Sequence, residues 1–245
     1  MMDLLKASCN VEKIGGLDQH IMAIAYVPEP GIMHYVGTGE PVADIEGSCG
    51  CVDCSKCPKE GCYAIRDYKR FVNYRNACIT NTKALRADID AHFDAIRDEI
   101  IRNAIETLRY TQGGELEGYD QFDHVVSLAI DTGTEIYLYT KNYAVLYRFF
   151  EDEGRELPGN MTVLISIWGD DPEAIEAWNH LKHHPGVKAF VVDNDTIECD
   201  AKCPAYVAPA PGKKARLVKE DYSKCGRCKL CTRARNCKAI RCEKN

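Results

Sequence analysis

The sequence lacks any run of about eighteen apolar residues, so it predicts no membrane-spanning helix. Its first ten residues, MMDLLKASCN, also lack the apolar segment of a secretory signal peptide. Apolar residues make up 45% and charged residues 28% of the 245-residue chain, a balance that excludes disordered and collagen-like proteins. We therefore expect a cytoplasmic globular protein that does not associate with membranes.

Histidine is sparse, with 7 residues in the chain. The closest group, His180, His183 and His184, lies where the sequence predicts the end of a helix. Cationic side chains are favoured there because they interact with the carboxyl end of the helix dipole. We therefore expect no catalysis by histidine.

Cysteine, in contrast, is abundant, with 14 residues. In a protein without an export signal, clustered cysteines point to metal binding or redox chemistry and not to disulfides. Two are isolated, Cys9 and Cys78, and we interpret them as core residues. The others form a first group (Cys49, Cys51, Cys54, Cys57 and Cys62) and a second group (Cys199, Cys203, Cys225, Cys228, Cys231, Cys237 and Cys242).

Both groups contain the spacing C-x2-C-x2-C, at residues 51, 54 and 57 and at residues 225, 228 and 231. This triplet opens the cluster motif of bacterial ferredoxins, whereas structural zinc sites favour two separated C-x2-C pairs. In the second group, Cys203 precedes Pro204 and can supply a fourth ligand by folding back. Iron–sulfur clusters are the favoured interpretation, and structural zinc or a set of buried reduced thiols are the alternatives.

Charge is distributed unevenly along the chain. Residues 202–245 contain 13 Lys and Arg against 3 Asp and Glu, a net charge of +10, whereas the whole chain carries −6. A basic tail on an acidic body can bind nucleic acid or an acidic partner. The alternative is that these cations compensate anionic thiolate clusters and keep a short tail solvated.

Apolar patterns alternate between helix and strand from residue 80 to residue 193. The first helix of this region is predicted to begin at N-cap candidates in residues 80–82, and a later one at Asp171, which precedes Pro172. Such alternation predicts parallel βαβ units. The predicted strands are 21–27, 42–45, 105–110, 135–140, 161–167 and 187–192.

These strands are too few for a closed eight-stranded barrel. We expect an α/β fold, with residues 1–200 forming a partial (β/α) barrel of about five to six parallel strands. The first cysteine group, at 49–62, would follow the strand at 42–45. Residues 201–245 would form a small, basic, cluster-binding tail, and no strand is expected after Asp193.

Parallel α/β folds build their sites at the carboxyl ends of the strands. Gly113, Gly114 and Glu115 follow one predicted strand, and Lys141 follows the next. A glycine pair lets a ligand approach the backbone closely, and an adjacent carboxylate can bind an ammonium group. These four residues are the predicted cofactor-binding set. The alternative is a glycine-rich turn with a solvated glutamate.

An iron–sulfur loop followed by Gly-Gly-Glu resembles the radical SAM partial barrel. The chain is more similar to an iron–sulfur family of phages and bacteria that is named after a numbered phage gene product. Four segments carry this resemblance: Cys57-Pro58 with Cys62-Tyr63-Ala64, Tyr139-Thr140-Lys141, Cys203-Pro204-Ala205, and the triplet Cys225, Cys228 and Cys231. The resemblance covers about residues 45–235.

This resemblance implies two [4Fe–4S] clusters. The implied ligands are Cys54, Cys57 and Cys62 for the first cluster, and Cys203, Cys225, Cys228 and Cys231 for the second. Cys49, Cys51, Cys199, Cys237 and Cys242 are surplus and can hold a third metal. The usual radical SAM spacing, C-x3-C-x2-C, is replaced here by Cys49-x4-Cys54-x2-Cys57.

Three functions are compatible with this pattern. The first is a radical SAM-type oxidoreductase or transferase that uses S-adenosylmethionine, an electron donor protein and an unknown small-molecule substrate. The second is a non-SAM iron–sulfur protein that transfers electrons, senses redox state or associates with nucleic acid through its basic tail. The third is a zinc-stabilised binding module. The sequence does not assign a catalytic residue, a substrate or an oligomeric state.

Overall fold

The computed structural model describes residues 21–28, 63–203, 231 and 237–242. The strands are β1 (Ile21–Ala23), β2 (Thr107–Tyr110), β3 (Glu135–Thr140), β4 (Met161–Trp168), β5 (Val187–Val192), β6 (Ala201–Lys202) and β7 (Ala239–Cys242). The helices are α1 (Tyr63–Arg70), α2 (Val72–Ala87), α3 (Ile89–Arg102), α4 (Tyr119–Thr132), α5 (Tyr143–Tyr147) and α6 (Pro172–Leu181). A π-helical turn, Arg148–Asp152, directly continues α5.

All of these strands belong to one open parallel sheet with the order β1-β2-β3-β4-β5-β7-β6. From β1 to β5 the order in space is the order in sequence, so the sheet grows in one direction. Right-handed crossovers between such strands place their connecting helices on one face of the sheet. The predicted α/β class and its parallel strands are therefore confirmed.

The helices cover what we call the first sheet face. Ile136 and Leu138 of β3 and Val163 of β4 contribute to the main apolar core there, and each is fully buried. Phe122 of α4 and Leu181 of α6 belong to the same core. Alternate strand residues point to opposite faces, so this core accounts for only half of each strand.

The remaining strand residues form what we call the second sheet face. Tyr139 is paired in register with Leu164, Leu164 with Lys188, and Phe190 with Ile240. Residues paired in a parallel sheet point to the same side, so these side chains share one face. They are Arg109, Tyr137, Tyr139, Leu164, Ser166, Lys188, Phe190 and Ile240. The second face is thus a mixture of aromatic, aliphatic and cationic groups.

The predicted helix start at residues 80–82 is wrong. These residues lie inside α2. The next helix, α3, begins at Ile89, and the carboxylate of its N-cap, Asp88, accepts a hydrogen bond from the Ala91 amide at 2.9 Å. Asn81 donates to the Ala25 carbonyl at 3.0 Å, and Thr82 accepts from the Val27 amide at 3.0 Å. The polar side chains that suggested a cap instead fasten α2 to the segment after β1.

The beginning and the end of the sheet also differ from the predicted pattern. Among the described strands β1 is the outermost one on the β2 side, and hydrogen bonds to the chain after β2 continue as far as Tyr26. The predicted strand at 42–45 lies outside the described residues. The expectation of no strand after Asp193 is wrong, because β6 and β7 extend the sheet beyond β5 to at least seven strands, more than the five or six expected. The cap at Asp171 is confirmed by its bonds to the Glu173 and Ala174 amides.

Within residues 63–203 and the shorter described segments, no helix combines the length and the apolar character required to cross a membrane.

Replacing Asp88 by alanine is expected to lower the free energy of unfolding by about 1 kcal/mol, since it removes the only side-chain acceptor recorded at the α3 N-cap. Thr80→Ala is the matched control, because it removes the hydroxyl at the position where the sequence pattern suggested a cap. In the middle of α2 this change should leave stability unchanged or raise it slightly. Urea unfolding followed by helical circular dichroism measures both. The reverse order of effects would contradict the boundary at Asp88.

Candidate functional site

The predicted cofactor-binding residues lie together at the carboxyl edge of the sheet. Gly113, Gly114 and Glu115 form the turn after β2, and Lys141 follows β3 directly. Glu115 is buried, with 3% of its surface exposed. Its Oε1 accepts hydrogen bonds from the Leu116 amide (3.0 Å) and from the Thr140 hydroxyl (2.7 Å), and its Oε2 accepts one from the Lys141 amide (2.8 Å). The structure therefore places the predicted residues side by side.

The carboxylate of Glu115 serves first as a link between two strands. Three of its roughly four acceptor positions are used by the protein itself. Burial raises the pKa of Glu115, and this effect is opposed by the hydrogen bond from Thr140, by those from the two amides and by the charge of Lys141. One acceptor position is left for a ligand cation, so the predicted ammonium contact stays a prediction.

Lys141 extends this linkage to β4. Its ammonium group donates to the carbonyl of Ser166 at 2.9 Å, and the Tyr143 hydroxyl donates to the same carbonyl at 3.3 Å. Beyond β4, Asn194 donates to the Gly169 carbonyl at 2.9 Å and to Asp170 at 3.0 Å. Side chains thus connect the carboxyl ends of four consecutive strands, β2 to β5.

Two of the three described non-glycine residues with a positive φ lie at this edge, the third being Ala104. Thr111 has a φ of 54° and Asp193 a φ of 52°, values that side-chain-bearing residues rarely adopt. Each follows the last residue of its strand by one position. Gly114 and Gly169 have φ values of 77° and 56° in the turns after β2 and β4. Strained residues of this kind cluster at ligand sites, because the surrounding structure must hold them in place.

Gly113 lies where the helices meet the turn after β2. Its carbonyl accepts a hydrogen bond from the Tyr26 amide at 2.8 Å. A Cβ atom on Gly113 would lie 2.1 Å from the Tyr74 hydroxyl and 3.5 Å from the Cβ of Ala64. Any side chain at this position would therefore force the Tyr74 ring to move, because the turn packs closely against α1 and α2. The contact also brings α1, which begins one residue after Cys62, next to this turn.

A buried polar chain below the turn was not predicted. The hydroxyl groups of Tyr26 and Tyr110 are 2.6 Å apart, and that of Tyr26 lies 2.9 Å from Nε2 of His92. Gln121 donates to the Tyr110 hydroxyl at 2.9 Å and accepts from the Glu117 amide at 2.7 Å. Burial raises the pKa of both tyrosines, so they stay neutral and hydrogen-bonded. The contacts span 66 and 84 residues, too far for a local motif to reveal them.

Three described cysteines of the second group lie against the second sheet face. Cys203, Cys231 and Cys237 belong to an apolar cluster with Tyr137, Tyr139, Leu164, Phe190, Ala201 and Ile240. Cys237 is 5% exposed, and the Tyr139 hydroxyl donates to the sulfur of Cys231 at 3.1 Å. Cys203 precedes residues 204–230 in the sequence, whereas Cys231 and Cys237 follow them, and all three lie on one surface.

Cationic groups lie beside these thiols. Lys188 is buried on the second sheet face, and burial lowers its pKa although the neighbouring Cys237 and Cys231 act to raise it. The guanidinium of Arg109 lies 5.2 Å from the centre of the Tyr139 ring. A positive charge and a hydroxyl donor near sulfur stabilise the thiolate form, which is the form that binds metal.

The other described cysteines have different surroundings. Cys78 is fully buried among apolar groups, and burial raises the pKa of its thiol to about 12, which confirms it as a core residue. Cys199 packs at the margin of the main core, close to Arg241. Cys242 ends β7 and pairs in register with Val192. Cys49, Cys51, Cys54, Cys57, Cys62, Cys225 and Cys228 lie outside the described residues.

The chain belongs to the gene product 88 family, whose model matches residues 40–240. No curated protein and no solved structure matches it. The family match confirms the resemblance to a family named after a phage gene product. Its description names no cofactor and no reaction, so the clusters and the use of SAM stay predictions.

Gly113→Ala is expected to destabilise the protein by about 1–3 kcal/mol, because the added methyl group collides with the Tyr74 hydroxyl. Removing that hydroxyl should relieve the collision, since the next ring atom would lie 3.4 Å from the new Cβ. Gly113→Ala should therefore cost much less in a Tyr74→Phe background. Urea unfolding of the four proteins in this double-mutant cycle measures the coupling. An additive cycle would mean that Gly113 is not packed against Tyr74.

Proposed function

We propose that the chain is an iron–sulfur protein that binds two or more [4Fe–4S] clusters, one of them held by the C-terminal cysteines against the second sheet face. The observation that carries this proposal is the packing of Cys203, Cys231 and Cys237 into one cluster beside Lys188 and Tyr139. Cys203 and Cys237 are separated by more than thirty residues, yet both pack into the same apolar cluster on this side of the sheet.

The surroundings of these thiols support metal binding over a purely apolar role. Cys78 shows what a core cysteine looks like in this protein, with a thiol whose pKa burial raises to about 12. Both Cys78 and Cys231 receive a hydrogen bond from a tyrosine, but Cys231 also lies within the electrostatic reach of Lys188. Donors of this type fit a thiolate-bound group, because they compensate its negative charge.

The proposed ligands of this cluster are Cys203, Cys225, Cys228 and Cys231. These are the residues that the resemblance to the family implies. Cys237 packs in the same apolar cluster and is the alternative fourth ligand. With four thiolates the cluster has no open iron, so we assign it a structural or electron-transferring role. The basic residues of the tail would offset its charge, with nucleic-acid binding as the alternative use of those residues.

The first cluster would lie between β1 and α1, with Cys54, Cys57 and Cys62 as ligands. Ala64 follows Cys62 by two residues and packs beside Gly113, which favours a position near the Gly113–Glu115 turn. Three thiolates leave one iron open, where SAM can bind and be cleaved reductively to start radical chemistry. This is the second candidate function, a radical SAM-type enzyme, in which Glu115 would bind the ammonium group of SAM and Lys141 would complete the cofactor site.

Anaerobically purified protein is expected to contain iron and inorganic sulfide for at least two clusters. Cys231→Ser should lose the equivalent of one cluster, because it removes a proposed ligand on the second sheet face. Cys78→Ser is the matched control, since Cys78 lies in the core, and its iron and sulfide per folded protein should equal those of the wild type. Chemical iron and sulfide analysis with visible absorption spectroscopy measures all three proteins. Stoichiometric zinc without sulfide, even after anaerobic reconstitution, would establish the zinc-stabilised alternative instead.

If the chain is a radical SAM-type enzyme, the protein with all its clusters present and reduced binds SAM. Glu115→Gln should then weaken binding by about 10- to 100-fold, because a carboxylate–ammonium contact contributes about 1.5–3 kcal/mol. Glu117→Gln is the control. Glu117 lies two residues after Glu115 and forms an ion pair with Arg86 at the surface. Equilibrium dialysis with labelled SAM measures the affinities. Absence of binding to the loaded wild type would leave the electron-transfer function.

A further inference from the structure

Three potential metal ligands converge near the amino end of β5, away from the carboxyl edge of the sheet. Glu151 belongs to the π-helical turn after α5, and His183 and His184 lie in the connection from α6 to β5. One ligand atom of each residue lies within 4.8 Å of the other two. Among the described residues, this is the only such group of three His, Cys, Asp or Glu side chains.

Oε1 of Glu151 lies at distances from two histidine nitrogens that are close to those between ligands of a single ion. Nε2 of His184 lies 3.2 Å from Oε1 of Glu151, and Nε2 of His180 lies 3.7 Å from the same oxygen. Two ligand atoms about 2.0–2.1 Å from a tetrahedral zinc ion are about 3.4 Å apart. Small side-chain rotations would therefore suffice to place an ion between them.

The fold holds the central histidine in place. The ring of His184 stacks on Phe150 with their centres 4.3 Å apart, and its side chain is only 16% exposed. Its carbonyl accepts a hydrogen bond from the ammonium group of Lys238 at 3.2 Å. Glu151 follows Phe150 within the π-helical turn, a distortion that occurs frequently at functional sites.

An ordinary ion pair does not account for this arrangement. One histidine at the end of α6 would satisfy both the helix dipole and the charge of Glu151. Here the nitrogens of His180 and His184 converge on one carboxylate oxygen, and the ring of His183 lies with its centre 4.0 Å from that of His184. Imidazole nitrogens and a carboxylate gathered at one place are the groups that commonly bind a divalent transition metal.

We propose that Glu151, His183 and His184 form a mononuclear site for Zn²⁺ or a similar divalent transition metal. Two histidines and one glutamate are an established donor set for zinc. The site contains no thiol, so it is separate from the proposed iron–sulfur clusters. A bound ion would fasten the π-helical turn after α5 to the start of β5.

Zinc binding by the full-length protein tests the proposal. Wild type, Glu151→Gln and His184→Ala are purified anaerobically with whatever metal their cysteines hold, and are equilibrated with buffered Zn²⁺. The wild type should bind one more zinc per chain than either variant, and its affinity at that site should be at least tenfold higher. His124→Ala is the control, because His124 is a surface histidine paired with Asp90 elsewhere, and it should match the wild type.

Zinc and iron are measured separately on each sample, so failure of the iron–sulfur proposal does not affect this test. Glu151→Gln keeps the size of an exposed side chain, so its zinc content decides the result if His184→Ala fails to fold. Co²⁺ in place of Zn²⁺ should give a wild-type-minus-Glu151→Gln difference spectrum without thiolate-to-cobalt charge-transfer bands. Equal zinc content in the wild type and Glu151→Gln, or thiolate bands in that difference spectrum, would overturn the site.

Discussion

The hydrogen bonds of Glu115 join the turn after β2 to the end of β3, and the geometry of the carboxyl edge depends on this buried carboxylate. Without it, the amides of Leu116 and Lys141 and the hydroxyl of Thr140 would lose their acceptor inside the protein. Unsatisfied buried donors are costly, so the turn can exist in its observed form only with an acceptor at this position. The side chain of Lys141 in turn bonds to the Ser166 carbonyl near the end of β4. One carboxylate therefore helps to fix the relative positions of the ends of three strands.

The second sheet face imposes a different constraint. Parallel sheets are normally buried on both faces by apolar residues, but this face carries Arg109 and Lys188 among its aromatic groups. Such a face needs a cover that contains negative charge or hydrogen-bonding groups as well as apolar surface. The described C-terminal residues contribute to this cover, since β7 pairs with β5 and Cys231 and Cys237 pack on the face. The cations that make this face unsuitable for an ordinary core make it suitable for thiolates.

Local patterns in the sequence predicted most of the sheet and part of the site. The apolar runs of β3, β4 and β5 gave their positions nearly to the residue, and the cap at Asp171 was recognised from the proline that follows it. The contacts that the sequence did not reveal are long-range. Thr82 bonds to a backbone 55 residues away, Tyr26 bonds to a tyrosine 84 residues away, and Glu151 meets His184 from 33 residues away. The sequence does not predict the four-residue strand β7, because AIRC is short, is flanked by basic residues and belongs to no longer apolar pattern.

The two proposed kinds of metal site are compatible with one chain because the fold separates their ligands. Thiolates are soft ligands and suit iron–sulfur clusters, whereas imidazole and carboxylate suit zinc and related ions. The described thiols beside Lys188 face the second side of the sheet, while His184 stacks on Phe150, a member of the core on the first side. The contact between the two regions is Lys238, which directly follows Cys237 and donates to the His184 carbonyl. A metal at either place would therefore restrain the same short segment, and the order of that segment should depend on both.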